Sequence, residues 1–186
     1  MNIMQIAGLA TTSRGWQRMQ AMNLSIPVLA WTLVVPLSLL PAMLLYYAGT
    51  HYGDDFIQGF SARYWHFIST TFFLTELLSF FIMGWLIHSV LEGHKLNISY
   101  HDAYLVAAVA PVPMWLSSLG LLIPVVQVTA AIAAVGLVAS CVLVFTGIRS
   151  LCRRQADDVV SMSATYTVMS AAVLAWVLLM VVIWAY

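Results

Sequence analysis

Five runs of predominantly apolar residues, at about 27–49, 66–91, 102–122, 124–149 and 163–185, alternate with short polar segments along this 186-residue chain. A hydrocarbon core of ~30 Å needs about 20 helical residues at 1.5 Å each, so every run is long enough to cross a bilayer. The pattern predicts an all-α, polytopic membrane protein with five transmembrane helices. The second and fourth runs exceed the minimum and should tilt or project into the headgroups. Ahead of them Ile3, Ile6, Leu9, Trp16, Met19 and Met22 recur at three or four, with Arg14, Gln17 and Arg18 between them. That spacing predicts an interfacial amphipathic helix, weakened by Gly8, Gly15 and the Thr11-Thr12-Ser13 run. The organisation expected is an interfacial segment at 1–26 and one five-helix domain at 27–186.

Composition agrees and excludes several classes. Apolar residues make up 62% and charged residues 8%, too few charges to cover a water-soluble surface. Net charge is zero and no basic stripe occurs, so nucleic acid is not an expected partner. Cys141 and Cys152 lie eleven residues apart, ~16 Å along one helix, which is too far for an internal disulfide. Met1 to Ala10 has no basic region and no small-residue cleavage site follows, so the first span should be retained.

The positions of the charges set an expected orientation. Arg14, Arg18, Lys95, Arg149, Arg153 and Arg154 fall on one side of the weave, and only Arg63, near Asp54 and Asp55, falls on the other. By the positive-inside rule the N-terminus is cytoplasmic and the C-terminus outside. Tyr46, Tyr47, Tyr52, Tyr64 and Trp65 around the first outer loop, with Trp184 and Tyr186 at the chain end, suit the outer headgroup level. Arg149, Arg153 and Arg154 are candidates for contact with anionic lipid.

Prolines and small residues modulate the spans. Pro36 and Pro41 in the first span, and Pro111 and Pro113 in the third, should each cost an interior backbone bond and bend the helix. At the latter pair the carbonyls of Ala107 and Val109 lose their partners, which makes Pro111, Pro113 and Trp115 candidates for a helix break or binding site. Pro124 should open the fourth span at its first turn, making a tight hairpin with the third. In the fourth span Ala130 with Ala134, and Gly136 with Ser140, are small-xxx-small pairs suited to helix packing or self-association. Ser99 and Asp102 form a capping-box pattern at the start of the third span, and Asp157 and Asp158 should be solvated ahead of the fifth. Asn97-Ile98-Ser99 spells a glycosylation sequon on the expected cytoplasmic side, where it would not be used.

Chemistry has few places to reside. Glu76 lies near the middle of the second span, at a depth where a carboxylate costs ~2.5–3.5 kcal/mol. With no Lys, Arg or His at matching depth, it reads as a structural hydrogen-bond node or a proton- or cation-linked site. His88 and Glu92, one turn apart, with His94, His101 and Asp102, are weak candidates for a divalent ion, as are His51, Asp54, Asp55 and His66 outside. Neither spacing matches a defined metal motif. No Gly-x-Ser-x-Gly, His-Glu-x-x-His or Gly-rich phosphate loop occurs, so neither catalysis nor a cofactor is expected.

The segments Gly8-Leu9, Trp16-Gln17-Arg18-Met19 and Ala108-Val109-Ala110-Pro111-Val112-Pro113-Met114-Trp115-Leu116 give the chain its family likeness. It resembles the Yip (Ypt-interacting protein) family, in its short bacterial inner-membrane branch. The resemblance implies a five-span fold, residence in a bacterial inner membrane, and a tendency to self-associate or to bind membrane partners. Eukaryotic members are linked to small Ras-like GTPases, vesicle budding and membrane shaping. This chain carries neither their long cytosolic region ahead of the first span nor their Asp-Leu-Tyr-Gly-Pro-type motif, so GTPase binding is not carried over. The expectation is a non-enzymatic membrane protein acting through helix packing and assembly. The alternative is a small transporter or channel that uses Glu76 and the proline-broken third helix for proton, cation or small-solute passage. The six-to-one bias of Lys and Arg argues against the dual-orientation scheme of small multidrug exporters.

Overall fold

A computed structural model describes residues 12–96, 98–152 and 158–185, with side chains given up to Leu178 and at Val181 in the last helix. Among these residues there are helices and connections and no strand. A short helix, α1 (Ser13–Ala21), precedes the bundle, opened by Thr12, whose hydroxyl accepts from the Gly15 amide at 3.2 Å. Then come α2 (Ile26–Phe56), α3 (Trp65–Gly93), a third span Tyr100–Leu122 in pieces, α6 (Val126–Leu151) and α7 (Asp158–Ala185). The pieces of the third span are α4 (Tyr100–Val109), α5 (Val112–Ser117) and a 3-10 turn, Ser118–Leu122. Five helices are thus long and apolar enough to cross a membrane, at the five places the hydrophobic runs mark. The first span runs seven residues beyond its expected end at 49, and the last begins at Asp158 instead of 163, because polar ends continue the backbone bonding of an apolar helix.

Pro36, Pro41, Pro111 and Pro113 behave differently. Just before Pro36 the helix widens into a π stretch, Ala30–Val34, and the Val35 amide bonds back to the Ala30 carbonyl. The wider turn accommodates a ring that has no N–H and crowds the preceding carbonyl. Pro41 is carried within the α-helical part of α2. Pro111 makes the break: the Ala110 amide still bonds Val106 (2.9 Å), and bonding resumes with the Trp115 amide on the Pro111 carbonyl (3.0 Å). Pro113 sits in the first turn of α5, where its missing N–H costs nothing, so only one of this pair interrupts the helix. Pro124 likewise departs from expectation. It lies in the link at 123–125 and α6 begins after it, with Val125 as the flanking residue. The hairpin itself forms, tied by the Thr129 hydroxyl donating to the Gly120 carbonyl at 3.0 Å.

The third span lies at the centre. Ala103, Leu105, Val106, Ala107, Ala108, Val109, Val112 and Trp115 are all buried, in one cluster with Leu33, Val34 and Leu37 of α2, Phe80, Ile87 and Leu91 of α3, and Val144 and Ile148 of α6; Ala164 and Val168 of α7 join that cluster against α3 and α6. Trp16 and Met19 of α1 belong to the same cluster. A smaller cluster, Ala42, Trp65, Ile68 and Phe72, joins α2 to α3 near the Arg63 loop.

Glycines facing aromatic rings bring the helices together. A Cβ on Gly49 would lie 2.2 Å from the Trp65 ring, and one on Gly84 would lie 2.6 Å from Tyr104. A Cβ on Gly147 would lie 3.1 Å from the Trp16 ring, and one on Gly136 would lie 2.8 Å from the Ser117 side chain. Lipid tails are as apolar as leucine, so association in a bilayer depends on such close contact rather than on escape from water.

Candidate functional site

The intramembrane acid and the broken helix form one site. The Trp115 indole nitrogen on α5 donates to Oε2 of Glu76 on α3 at 2.9 Å. Trp115 is buried, 3% exposed, and Glu76 is partly buried. The break at Pro111 starts a new helix about one turn before Trp115, so the residue that meets Glu76 belongs to the piece beyond the break. Sequence spacing marks Glu76 and Trp115 separately; their pairing across 39 residues is a product of helix packing. Ser117, two residues beyond Trp115, abuts Gly136 on α6, and the Pro113 carbonyl lies 3.1 Å from where a Gly136 Cβ would be. The α5 piece therefore packs against α6 and α2, and the Trp115 side chain reaches from it to α3.

The small-residue pairs of α6 separate. Gly136 and Ser140 are buried in the bundle, whereas Ala130 and Ala134 are exposed on its surface. A spacing of four keeps each pair on one face, but Ala134 and Gly136 differ by two residues, or about 200° of helix. The Ser140 hydroxyl is buried without a hydrogen-bond partner, as is that of Ser161 on α7.

A second polar group gathers at the start of α4. The Asp102 amide donates to the Ser99 hydroxyl (3.1 Å), which itself donates to Oδ2 of Asp102 (2.8 Å), completing the expected cap in modified form. Gln20 of α1 donates to the same oxygen at 3.0 Å, and the His101 ring donates to the Leu24 carbonyl. Gln20 has no motif around it, and only the docking of α1 assigns it a role. Cys152, at the end of α6, is buried nearby, and burial followed by the Asp102 charge pushes its thiol up to about 11.

The metal candidates fall into separate small groups. His88 stacks on Tyr100 with ring centroids 3.8 Å apart and has Glu92 at 3.8 Å; His101 has Asp102 at 3.6 Å; His94 ends α3. At the other end of the bundle His66 pairs with the Tyr46 hydroxyl (3.2 Å), His51 stacks on Tyr47, and Asp54 holds the Ser61 hydroxyl at 2.6 Å. Among the described residues no three of His, Cys, Asp and Glu come together as metal ligands would. Of the three arginines proposed to meet lipid, Arg149 pairs with Asp158 at 3.1 Å on the surface, joining the ends of α6 and α7. Arg153, Arg154 and Asp157 lie outside the described residues, as do most of the residues before α1, Asn97 of the sequon, and Tyr186.

Four apolar helices and a broken third span define a multi-pass membrane protein whose polar side chains link one helix to another. The model of the Yip1 domain matches residues 9–185, nearly the whole chain, and the chain belongs to that family. No curated protein and no solved structure matches it.

Proposed function

We propose that this is a non-enzymatic, inner-membrane member of the Yip1 domain family that acts by assembly in the bilayer. It would sit with α1 on the cytoplasmic side and bind further copies of itself or other membrane proteins. The observation that carries this reading is the bond from Trp115 to Glu76. The one acid at mid-depth is engaged by a buried indole and holds α5 against α3, which is the work of a helix tie. The exposed Ala130 and Ala134 face supplies a surface for close approach by a neighbouring helix, while Gly136 and Ser140 are already occupied inside the chain. The deciding experiment compares ion and solute flux in proteoliposomes for wild type and Glu76→Gln, alongside detergent thermal unfolding. A helix tie gives the same background flux for both proteins and a lower melting temperature for the variant.

One observation favours transport as a second reading: the residue that holds Glu76 rides on the helix broken at Pro111, as in carriers whose binding sites use interrupted spans. Flux that is present in wild type and lost in Glu76→Gln would establish that reading in place of the first.

A further inference from the structure

We infer that α1 is a detachable strap with two seats, one on the bundle and one in an anionic headgroup layer. In the seat described, Trp16 is fully buried in a slot where its ring faces Gly147 of α6, a glycine that Val106 of α4 also approaches. Met19 is buried beside it, and Gln20 is tied to Asp102. The seat is imperfect in one respect. The Trp16 indole N–H is buried without an acceptor, an unmade hydrogen bond that opposes docking. The headgroup layer would satisfy it, because indole rings settle there with their N–H toward polar groups.

Charge favours the same exchange. Arg14 and Arg18, one turn apart, are exposed on the face away from the bundle, so the helix is basic on one side and apolar on the other. Anionic lipid attracts each such arginine, and α1 lies outside the five spans, next to where they enter the membrane. The connection to α2 allows movement. Residues 22–25 are not helical, and Asn23 turns the chain in the left-handed region at φ 44°, where Asn is tolerated. Besides its packing, α1 and this connection are tied to α4 by two side-chain bonds, Gln20 to Asp102 and His101 to the Leu24 carbonyl. Release would uncover the slot at Gly147 and free Asp102 from Gln20, changing the surface the protein offers to a partner.

Hydrogen exchange of the amides at 15–22 reads the position of the strap. The full chain would be placed in nanodiscs of phosphatidylcholine alone and of equal parts phosphatidylcholine and phosphatidylglycerol. Two arginines at an anionic surface should speed exchange by about 25-fold in the mixed discs. Equal protection in the two lipids overturns the proposal. Arg14→Gln with Arg18→Gln should remain protected in both, and a lipid dependence that persists in this variant also overturns it. Gln20→Ala loosens the bundle seat without altering the arginines and should speed exchange about fivefold in either lipid while the amides at 103–108 stay protected. No change in that variant means that the Asp102 tie does not hold α1, and the strap fails.

Discussion

The third span and the last helix have comparable length and both are apolar enough to cross a bilayer, yet they occupy opposite positions in the protein. Half of the hydrophobic window of Tyr100–Leu122 is buried, against 17% for Asp158–Leu178. The third span is rich in alanine where it meets its neighbours, is broken at Pro111, and sends Trp115 across to Glu76. The last helix is anchored through Ser161, Ala164 and Val168, and beyond them Val173 to Leu178 are all exposed, more than a full turn free of the bundle. Hydropathy therefore selects helices for the membrane and does not say which of them is central. Centrality follows from small side chains that let backbones approach and from polar contacts that lipid cannot replace.

The contrast can be broken first where the central span meets α6. Gly136→Leu would force a branched side chain where even a Cβ would lie 2.8 Å from Ser117 and 3.1 Å from the Pro113 carbonyl, at a cost of about 3 kcal/mol. A melting temperature in detergent unchanged by this substitution would show that α5 does not pack as described. Next in size, Trp115→Phe keeps a ring and removes the donor to Glu76, with an expected loss of about 1–2 kcal/mol. A double-mutant cycle with Glu76→Gln should give a coupling of about 0.6–1.7 kcal/mol, and additive effects would mean that the pair is not a tie.

Smaller effects test the periphery. Ala130→Leu with Ala134→Leu, on the exposed face of α6, should alter monomer stability by less than about 0.5 kcal/mol while reducing cross-linked oligomer in membranes. An unchanged oligomer would place self-association on another face. Leu174→Ala on the free part of α7 should change thermal unfolding least, within about 0.5 kcal/mol. A loss comparable to that of Gly136→Leu would erase the distinction between centre and edge.

Much of the fold was legible in residue order. The five spans, the hairpin between the third and fourth, and the Ser99–Asp102 cap all follow from local periodicity and from short-range backbone bonding. The prolines were only partly legible. A proline's effect depends on whether its missing N–H falls in a first turn, as at Pro113, beside a widened turn, as at Pro36, or in an interior that either carries it, as at Pro41, or breaks, as at Pro111. The amphipathic pattern of the N-terminal segment indicated an apolar face, but periodicity cannot name what covers it; Trp16 meets Gly147, more than 130 residues away.

Sequence alone determined that the chain is helical and membrane-spanning, because an apolar backbone in lipid must bond to itself within each segment. Tertiary structure decided which helix is central, which partner the acid at 76 receives, and which of the two small-residue pairs remains outside. Those outcomes depend on contacts between residues distant in the chain, where close fit between helices selects one arrangement and local pattern carries no information about the partner.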